Sequence, residues 1–423
     1  MLNRRTFLGK AAAGSAAAMA VTASASAASA NDRVIVGVMG LSRGRSLSQG
    51  FQQLPNVEVK YLCDIDTERT AQCVELVKKG GGKPNGIGDY RTILDDKGVD
   101  ALVCSAPNFW HAPATIYACN AGKNVYVEKP CSQNPYEGEL MIQAARKSNK
   151  AVQVGTQRRS GPTTKKAIQK LHEGAIGKVY QSRAYYNSAR ESIGKGKAAK
   201  VPSHINFDLW QGPVPRVPYI DNLVHYNWHW RWNWGNGELG NNGVHSLDIC
   251  RWGVNVDYPT RVTSSGGRYC FDDDQETPDT HIVSYEFEGG RQITWTGLSC
   301  NRHSNKKFVE FYGDAGTMEL DSNGTYRIFD AKDKVVEEVK GNSRGDVEHL
   351  QNFVDAIRNE TPRKLNVEIE IGHKSTLMCH LGNIAQRTGR TINCSSNNGH
   401  IIGDEKAAKL WRREYEPGWE PTV

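Results

Sequence analysis

The sequence lacks several features that mark common classes of protein. It contains no run of about 18 or more apolar residues, so no transmembrane helix is predicted. No block of lysine and arginine stands out as a nucleic-acid patch, and the formal net charge is only +7. No Cys-x-x-Cys or Cys/His pattern has the spacing of a zinc site. These absences argue against a membrane-spanning protein, a nucleic-acid partner and a metal centre.

Cysteines are present, but without the spacing of a disulfide scaffold. The 10 cysteines are scattered along the chain, and several lie in apolar, strand-like runs, as Cys104 does within 101–105. We therefore expect mostly buried free thiols.

The first thirty residues have the composition of a targeting segment. Arg4 and Arg5 precede two apolar residues, a weakly apolar Ala/Ser/Gly stretch follows, and small residues occupy 28–30. The segment resembles a twin-arginine export signal, although Asn3 stands where Ser or Thr is usual. The mildly apolar core argues against the alternative, an ordinary secretory signal. We expect residues 1–30 to direct a folded protein to the periplasm or another extracytoplasmic space. No cysteine follows to carry a lipid anchor.

A glycine-containing turn follows the first strand-like run of the remaining chain. Residues 34–39 form a continuous apolar run typical of a buried strand, and a helix is predicted over 46–54. Between them lie Gly40, Ser42, Arg43 and Gly44. Such a turn brings the backbone close to a pyrophosphate at a helix N-terminus. Ser42 replaces the usual second glycine and Gly44 is one position early for the third, so an ordinary tight turn is the alternative.

An acidic residue ends the second predicted strand, 57–62. Asp64 lies 24 residues after Gly40, about where an acid binds the ribose hydroxyls of a dinucleotide. We assign Asp66 instead to capping a helix that begins near Thr67. A carboxylate at 64 disfavours a 2′-phosphate, which predicts NAD, with NADP left possible by the arginines nearby.

Further strands alternate with helices in the first half. Strands are predicted over 99–105, 124–127 and 151–154, and helices over 67–79, 112–121 and 136–148. This alternation predicts an α/β fold with a parallel, doubly wound Rossmann sheet over residues 31–156. Polar motifs lie at the strand ends, where such sheets bind ligands: Pro107, Asn108, His111, Glu128, Lys129 and Gln157.

The second half, 157–423, has a different pattern. Alternating strands are predicted over 179–186, 280–287, 291–296 and 308–312, with a loop-rich insertion at 187–242. They predict an α+β domain with a large open, mostly antiparallel sheet. Late helices at 347–358 and 374–388 are expected to pack back on the first domain.

The motifs of the two halves together resemble those of the Gfo/Idh/MocA family, the glucose–fructose oxidoreductase and inositol dehydrogenase group. The resemblance implies a nicotinamide cofactor, a carbohydrate substrate and a homo-oligomer formed through the C-terminal sheet. It implies that Lys129 polarises the reacting oxygen and that Glu128 contacts the nicotinamide ribose. The cofactor-binding residues it implies are Gly40, Ser42, Arg43, Gly44, Asp64, Pro107, Asn108, His111, Glu128, Lys129 and Gln157.

The resemblance also points to a catalytic histidine. Asn241, His245 and Asp248 recur at i, i+4 and i+7, which places them on one face of a helix. The family usually has Asp-x-x-x-His here, so His245 matches and Asn241 departs from the pattern. We expect His245 to be the base, with Asn241 and Asp248 orienting it. A satisfied core histidine is the alternative.

Four tryptophans, 228, 230, 232 and 234, recur at every second position. On one face of an extended segment they would form a platform for sugar rings, and core or oligomer contacts are the equal alternative. His225 and His229 lie nearby and offer polar contacts. Substrate contacts are predicted for Lys129, Arg158, Trp228, Trp230, Arg231 and His245.

The sequence therefore predicts an exported NAD(P)-dependent oxidoreductase acting on a secondary hydroxyl of a sugar, polyol or glycoside, with a tightly bound cofactor. A redox-neutral, NAD-dependent glycoside hydrolase is one alternative. A cofactor-bound sugar sensor without turnover is another.

Overall fold

The computed structural model describes residues 33–301 and 307–423. The predicted export signal lies outside these residues. Within them, no helix combines the length and apolarity needed to cross a membrane.

The first half forms a six-stranded sheet in which every neighbouring pair of strands runs parallel. Its order is β3-β2-β1-β4-β5-β6, the doubly wound arrangement that the sequence predicts. The strands are β1 (Val34–Met39), β2 (Val57–Cys63), β3 (Asn85–Ile87), β4 (Ala101–Cys104), β5 (Asn124–Val127) and β6 (Val152–Val154). Strand β3 was not predicted because its three residues, Asn-Gly-Ile, carry no apolar run.

Helices follow these strands and pack on the sheet. They are α1 (Gly44–Gln53), α2 (Thr67–Lys79), α3 (Arg91–Asp95), α4 (Asn108–Asn120) and α5 (Pro135–Ser148). In α1, Leu47 and Phe51 are buried one turn apart, which fixes the face that packs on the sheet. The strand order reverses between β1 and β4, and ligands bind at the carboxyl ends of the strands beside such a reversal.

The second half forms a larger sheet in the order β15-β14-β13-β12-β7-β10-β9-β8-β16, with β11 paired to β7. Its strands are β7 (Val179–Ala189), β8 (Arg261–Gly267), β9 (Thr280–Phe287), β10 (Arg291–Leu298), β11 (Cys300–Asn301), β12 (Val309–Gly313), β13 (Gly316–Leu320), β14 (Tyr326–Asp330), β15 (Val335–Val339) and β16 (Ile392–Asn393). Strands β7 and β10 run parallel, and the other described pairs are antiparallel. The fold class is therefore the predicted one.

Helices cover one face of this sheet and connect it to the first half. They are α6 (Pro162–His172), α7 (Phe207–Gln211), α8 (Val244–Val254), α9 (Asp346–Arg358), α10 (Ile369–Thr388) and α11 (Glu405–Ala408). Trp295, Tyr285 and Phe311 of the sheet are fully buried in one core with residues of α8 and α10. Helix α9 packs on the first sheet, since the Phe353 ring lies 6.2 Å from that of Phe51 and 6.0 Å from that of Tyr126.

Candidate active site

A cleft of about 360 Å³ lies at the carboxyl ends of β1, β2, β4 and β5. Its volume is in the range of small-ligand sites. The lining residues that were predicted for cofactor, catalysis or substrate are Gly40, Ser42, Arg43, Asp64, Pro107, Asn108, His111, Glu128, Lys129, Gln157, Trp228, Asn241 and His245. Both halves of the chain therefore contribute to one site.

The turn after β1 needs both of its glycines. Gly40 has a φ of +84°, and a Cβ there would lie 2.6 Å from the backbone nitrogen of Ala106. A Cβ on Gly44 would lie 2.6 Å from Ser105 Oγ, where α1 begins against β4. Ser42 is exposed between them. The turn therefore has glycine at the two positions where its backbone lies too close to neighbouring residues for a Cβ. It also presents the N-terminus of α1 to the cleft.

The two acids after β2 have separate roles. Asp66 caps α2, because its carboxylate accepts hydrogen bonds from the N–H groups of Glu68 and Arg69 at 2.9 and 3.0 Å, as predicted. Asp64 lines the cleft and accepts a 2.7 Å bond from the Leu41 N–H. Burial raises the pKa of Asp64, while its bonds to backbone N–H groups oppose that shift. An acid is therefore fixed beside the glycine turn, at the position that suits a ribose.

The motif after β4 is used mainly to build the site. Asn108 is buried and its amide donates to Asn236 Oδ1 at 3.2 Å. The ring nitrogens of His111 lie 2.6 Å from the Pro130 carbonyl and 2.7 Å from the Ala106 carbonyl. Although His111 lines the cleft, both nitrogens are engaged by backbone. His111 therefore holds two strand-end loops together, and its predicted contact with the cofactor stays a prediction.

Glu128 and Lys129 follow β5 at the centre of the cleft. Glu128 is buried and accepts a 3.1 Å bond from Arg43 Nε. Lys129 Nζ donates to the backbone carbonyl of Asn241 at 2.8 Å and approaches its Oδ1 at 3.4 Å. Burial lowers the pKa of Lys129, and the charge of Arg43 adds to this while Glu128 opposes it.

A π-helical turn, Leu239–Gly243, precedes α8 and brings Asn241 and His245 to the cleft. Such turns are frequent at functional sites. His245 Nδ1 is buried, and no hydrogen-bond partner for it occurs among the described residues. Burial, followed by the charge of Lys129, lowers the pKa of His245 well below its usual value. Burial and the charge of Lys129 therefore favour the neutral imidazole of His245, which is the form that a proton acceptor needs.

Asp248 does not orient His245, and that prediction is corrected. Its fully buried carboxylate accepts bonds from Arg159 Nε at 2.8 Å and from Ser375 Oγ at 2.6 Å. The buried guanidinium of Arg159 is a stronger partner for a carboxylate than a neutral imidazole is. Asp248 therefore belongs to a buried ion pair beneath the site.

The four tryptophans do not form an extended platform. Asn227–Trp230 is a short 3₁₀ turn, and Trp230 and Trp234 are buried. Trp228 lines the cleft and stacks on His229, with ring centroids 3.6 Å apart. Trp228 therefore lines the cleft, and its predicted sugar contact stays a prediction, while Trp230, which is not among the cleft-lining residues, belongs to the packing alternative.

Two predicted substrate-binding arginines have other partners. Arg231 is buried and donates to Asp274 at 3.0 Å and to Asn222 at 3.1 Å. Arg158 stacks on the Phe308 ring at 4.3 Å and donates to the Ser322 carbonyl. Neither is among the cleft-lining residues. Their charges are used within the fold, because a half-buried guanidinium needs acceptors or an aromatic face.

Glu238 was missed by the sequence analysis. It is buried, pairs with Arg190 at 2.5 Å and accepts from Asn241 Nδ2 at 3.4 Å. Glu238 lies three residues before Asn241, and residues three apart are neighbours on a helix. The sequence could therefore have indicated this contact. An acid therefore reaches the Lys129 site from position 238, although position 241 holds an amide.

Two family models match the chain. The model for the NAD-binding Rossmann fold of the GFO_IDH_MocA oxidoreductase family matches residues 32–156. The model for that family's C-terminal alpha/beta domain matches residues 169–420.

Curated relatives match about a third of this chain. A levoglucosan dehydrogenase of Pseudarthrobacter phenanthrenivorans is 32% identical over 127 residues, which is 30% of this chain and 32% of the relative. An alpha-N-acetylgalactosaminidase of Shewanella oneidensis is 29% identical over 160 residues, 36% of this chain and 35% of the relative. The chain thus spans about a third of the length of these relatives.

Solved structures match over most of the chain. A levoglucosan dehydrogenase in complex with NADH and levoglucosan covers 85% of this chain and 99% of its own, with a TM-score of 0.67 and 18% identity. The aldose-aldose oxidoreductase of Caulobacter crescentus, complexed with glycerol, covers the same shares with a TM-score of 0.66 and 19% identity. These likenesses show the fold.

Proposed function

Because the chain belongs to the Gfo/Idh/MocA family of oxidoreductases and its first half is an NAD-binding domain, we propose that it oxidises or reduces a secondary hydroxyl carbon of a sugar, polyol or glycoside. The observation that carries this proposal is that Lys129 and His245 line one cleft, where Lys129 donates to the carbonyl of Asn241, four residues before His245. One residue is suited to stabilise an alkoxide, and the other to accept its proton.

The residues of the cleft fit NAD. Gly40 and Gly44 leave room where side chains would collide, and the N-terminus of α1 favours a pyrophosphate. The Asp64 carboxylate suits ribose hydroxyls, which favours NAD over NADP. When bound, NAD supplies the acceptor or donor for the electron pair of the carbinol C–H bond.

The chain's own residues manage the proton and the charge. Oxidation of the carbinol breaks its C–H and O–H bonds and forms a carbonyl. His245 takes the hydroxyl proton, since its depressed pKa keeps it neutral. Lys129 donates a hydrogen bond to the oxygen as negative charge develops there. In the reverse direction, His245 returns the proton.

A carbohydrate substrate is supported by the relatives and by the cleft. Several relatives and fold neighbours carry the names of sugar-active enzymes. Trp228 and His229 stack on each other and give the wall of the cleft an aromatic surface, which suits the C–H groups of a sugar. His225 and Tyr226 add polar groups to the same wall of the cleft.

The test is a screen of free sugars, polyols and glycosides against the purified protein with NAD, read by the absorbance of reduced nicotinamide and by product analysis. We expect absorbance to grow with one class of sugar. An unchanged cofactor and unchanged sugars across the screen would overturn the proposal. Tight sugar binding without any turnover would identify a sensor instead.

A redox-neutral glycoside hydrolase is the second candidate. The similarity to an alpha-N-acetylgalactosaminidase over 160 residues favours it, because this relative cleaves a glycosidic bond. Ring oxidation, elimination of the leaving group and reduction would use Lys129 and His245 in the same roles. Release of an aglycone with no net change in nicotinamide absorbance would establish this reaction and exclude the simple dehydrogenase.

We also propose that the protein is exported folded, with its cofactor already bound. The paired Arg4 and Arg5 support this proposal, because twin-arginine routes carry folded proteins. Replacing both arginines by lysine should retain the protein in the cytoplasm, and the Lys10→Arg variant is the control. Unchanged export of the twin-lysine variant would contradict this.

Finally, we propose that the open face of the second sheet pairs two chains. Along β9, buried side chains alternate with partly exposed ones, and Ile282 is 47% exposed on the open face. Light scattering should report an oligomer, and Ile282→Glu should weaken it while Glu288→Lys, outside the strands, should not. A monomeric wild-type protein at micromolar concentration would contradict the pairing.

A further inference from the structure

Two of the 10 cysteines differ from the rest in accessibility. Cys270 is exposed and Cys300 is half-buried. The other cysteines are buried: Cys63, Cys73, Cys104, Cys119, Cys131, Cys250, Cys379 and Cys394. Burial raises the pKa of the Cys104 thiol to about 12, and a buried protonated thiol is unreactive.

The two accessible cysteines lie together. Their Sγ atoms are within 4.8 Å of each other. Cys270 belongs to the connection between β8 and β9, and Cys300 lies on β11, opposite Ala189 at the end of β7. The pair therefore joins two segments that no strand pairing connects directly.

Asp279 lies in the same cluster, but its carboxylate is already used. Its Oδ2 accepts bonds from Arg268 Nη1 at 3.0 Å, the Tyr269 N–H at 2.9 Å and the Cys270 N–H at 3.1 Å. Its Oδ1 accepts from the Thr280 hydroxyl at 3.0 Å. A cation would have to displace these donors and approach the Arg268 guanidinium. The cluster therefore suits covalent bonding of the two sulfurs better than metal binding.

We propose that Cys270 and Cys300 form an intrachain disulfide in the mature protein. For its cellular setting the proposal rests on the proposed export, since disulfides persist in oxidising compartments. The sulfurs have to approach to about 2.05 Å, and the exposed position of Cys270 leaves that segment room to move.

The bond forms by thiol–disulfide exchange with an external disulfide, either a protein oxidase or a small-molecule disulfide. The thiolate of one cysteine attacks the external disulfide and releases one thiol. The thiolate of the second cysteine then attacks the mixed disulfide and releases the other. Both cysteines lose their protons and together two electrons, and the external disulfide is reduced to two thiols.

The disulfide would stabilise the segment that supports the wall of the cleft. The segment that carries Cys270 also carries Asp273, which accepts bonds from Ser192 and from the Ile193 N–H. Asp274 of the same segment accepts from Arg231, which follows the 3₁₀ turn with Trp228. A disulfide between Cys270 and Cys300 would close the chain between them into a loop. Because the closed loop restricts the unfolded chain, the disulfide should raise the free energy of unfolding.

The full chain, reduced and then equilibrated with excess oxidised glutathione, provides the test. A maleimide reagent should label two thiols in the native reduced protein and none after oxidation. Mass spectrometry of the digest should find the peptides of Cys270 and Cys300 joined. After the same equilibration, Cys270→Ser and Cys300→Ser should each carry one glutathione on the remaining accessible cysteine, because no second thiol resolves the mixed disulfide, and Cys73→Ser should behave like the wild type.

Two outcomes would overturn the proposal. One is that both thiols remain reactive after equilibration of the folded protein. The other is that stoichiometric zinc binds, protects both thiols and is lost in either serine variant. The oxidised wild type should also melt several degrees above the Cys270→Ser variant. The thiol readout needs neither cofactor nor sugar, so its failure is distinct from a failure of the proposed reaction.

Discussion

The Nζ atom of Lys129 donates a 2.8 Å hydrogen bond to the backbone carbonyl of Asn241. The lysine follows β5 of the first sheet, and the carbonyl belongs to the π-helical turn of the second half. The bond uses backbone, so it does not depend on the side chain at 241. This explains physically how the site keeps its lysine in place with Asn where the family usually has Asp.

Lys129→Ala and His245→Ala should each lower kcat by at least about 100-fold, because one removes the charge that stabilises the alkoxide and the other removes the base. Both variants should still bind NAD, measured by fluorescence titration, and should retain a folded far-UV spectrum. Near-normal turnover in either variant would remove that residue from the mechanism.

The acid and alkaline limbs of the pH profile for oxidation should both lie at lower pH than a histidine and a lysine of ordinary pKa would give. The lowered pKa of His245 keeps it neutral in more acidic solution than an ordinary histidine, so the acid limb moves down. The lowered pKa of Lys129 makes it lose its proton earlier than an ordinary lysine, so the alkaline limb also moves down. The profile of kcat/KM against pH measures both limbs.

Lys129→Arg provides the control for that profile, since a guanidinium does not titrate in this range. Any activity that remains in this variant should lack the alkaline limb. If the alkaline limb is unchanged by the substitution, the ionisation that causes it belongs to a group other than Lys129.

Asn241→Asp should disturb both Lys129 and Glu238. The new carboxylate faces that of Glu238, which now accepts from the Asn241 amide, and loss of this bond costs about 1–3 kcal/mol. A negative charge beside Lys129 raises the pKa of the lysine, so the alkaline limb should move up. Asn242→Asp is the matched control, because Asn242 also donates to Glu238 but is not among the cleft-lining residues. Equal shifts of the alkaline limb in both variants would contradict this account.

Asp248→Asn should reduce stability more than chemistry. Removing the carboxylate leaves Arg159 buried without its partner, which costs about 3–5 kcal/mol. The melting temperature and the urea midpoint should fall, while kcat per folded molecule changes little. A large fall in kcat at unchanged stability would restore Asp248 to the catalytic group.

Asp64→Asn should weaken NAD binding by about 10-fold, or about 1.4 kcal/mol, through loss of a charged acceptor for the ribose. The ratio of the affinity for NAD to the affinity for NADP should also fall in this variant. Asp66→Asn is the control, since an asparagine there still caps α2. Tighter binding of NADP than of NAD by the wild type would contradict the assignment.

Much of the fold was predictable because strand and helix periods are local. The buried runs at 34–39 and 124–127 and the alternation at 280–287 needed only neighbouring residues to be interpreted. Gly40 and Gly44 likewise predicted the turn after β1, although their spacing departs from the usual fingerprint of a dinucleotide-binding turn.

The errors at the site have a common physical cause, which is long-range pairing. Asp248 pairs with Arg159 and Arg231 with Asp274, and nothing in the local pattern predicts which distant partner a buried charge meets. The extended tryptophan platform was wrong because the every-second spacing suggested a strand where Asn227–Trp230 forms a 3₁₀ turn. The ion pair of Glu238 with Arg190 was not predictable because the two residues are 48 positions apart, although the contact of Glu238 with Asn241 is local.

The most direct test of the proposed reaction follows an isotope. The sugar found in the screen, deuterated at its carbinol carbons, is incubated with the protein and NAD, and the nicotinamide is recovered for mass spectrometry. Deuterium is expected on the nicotinamide ring in the wild type, and it should appear at least about 100-fold more slowly in Lys129→Ala. A converted sugar whose deuterium never reaches the nicotinamide of the wild type would contradict the proposed reaction.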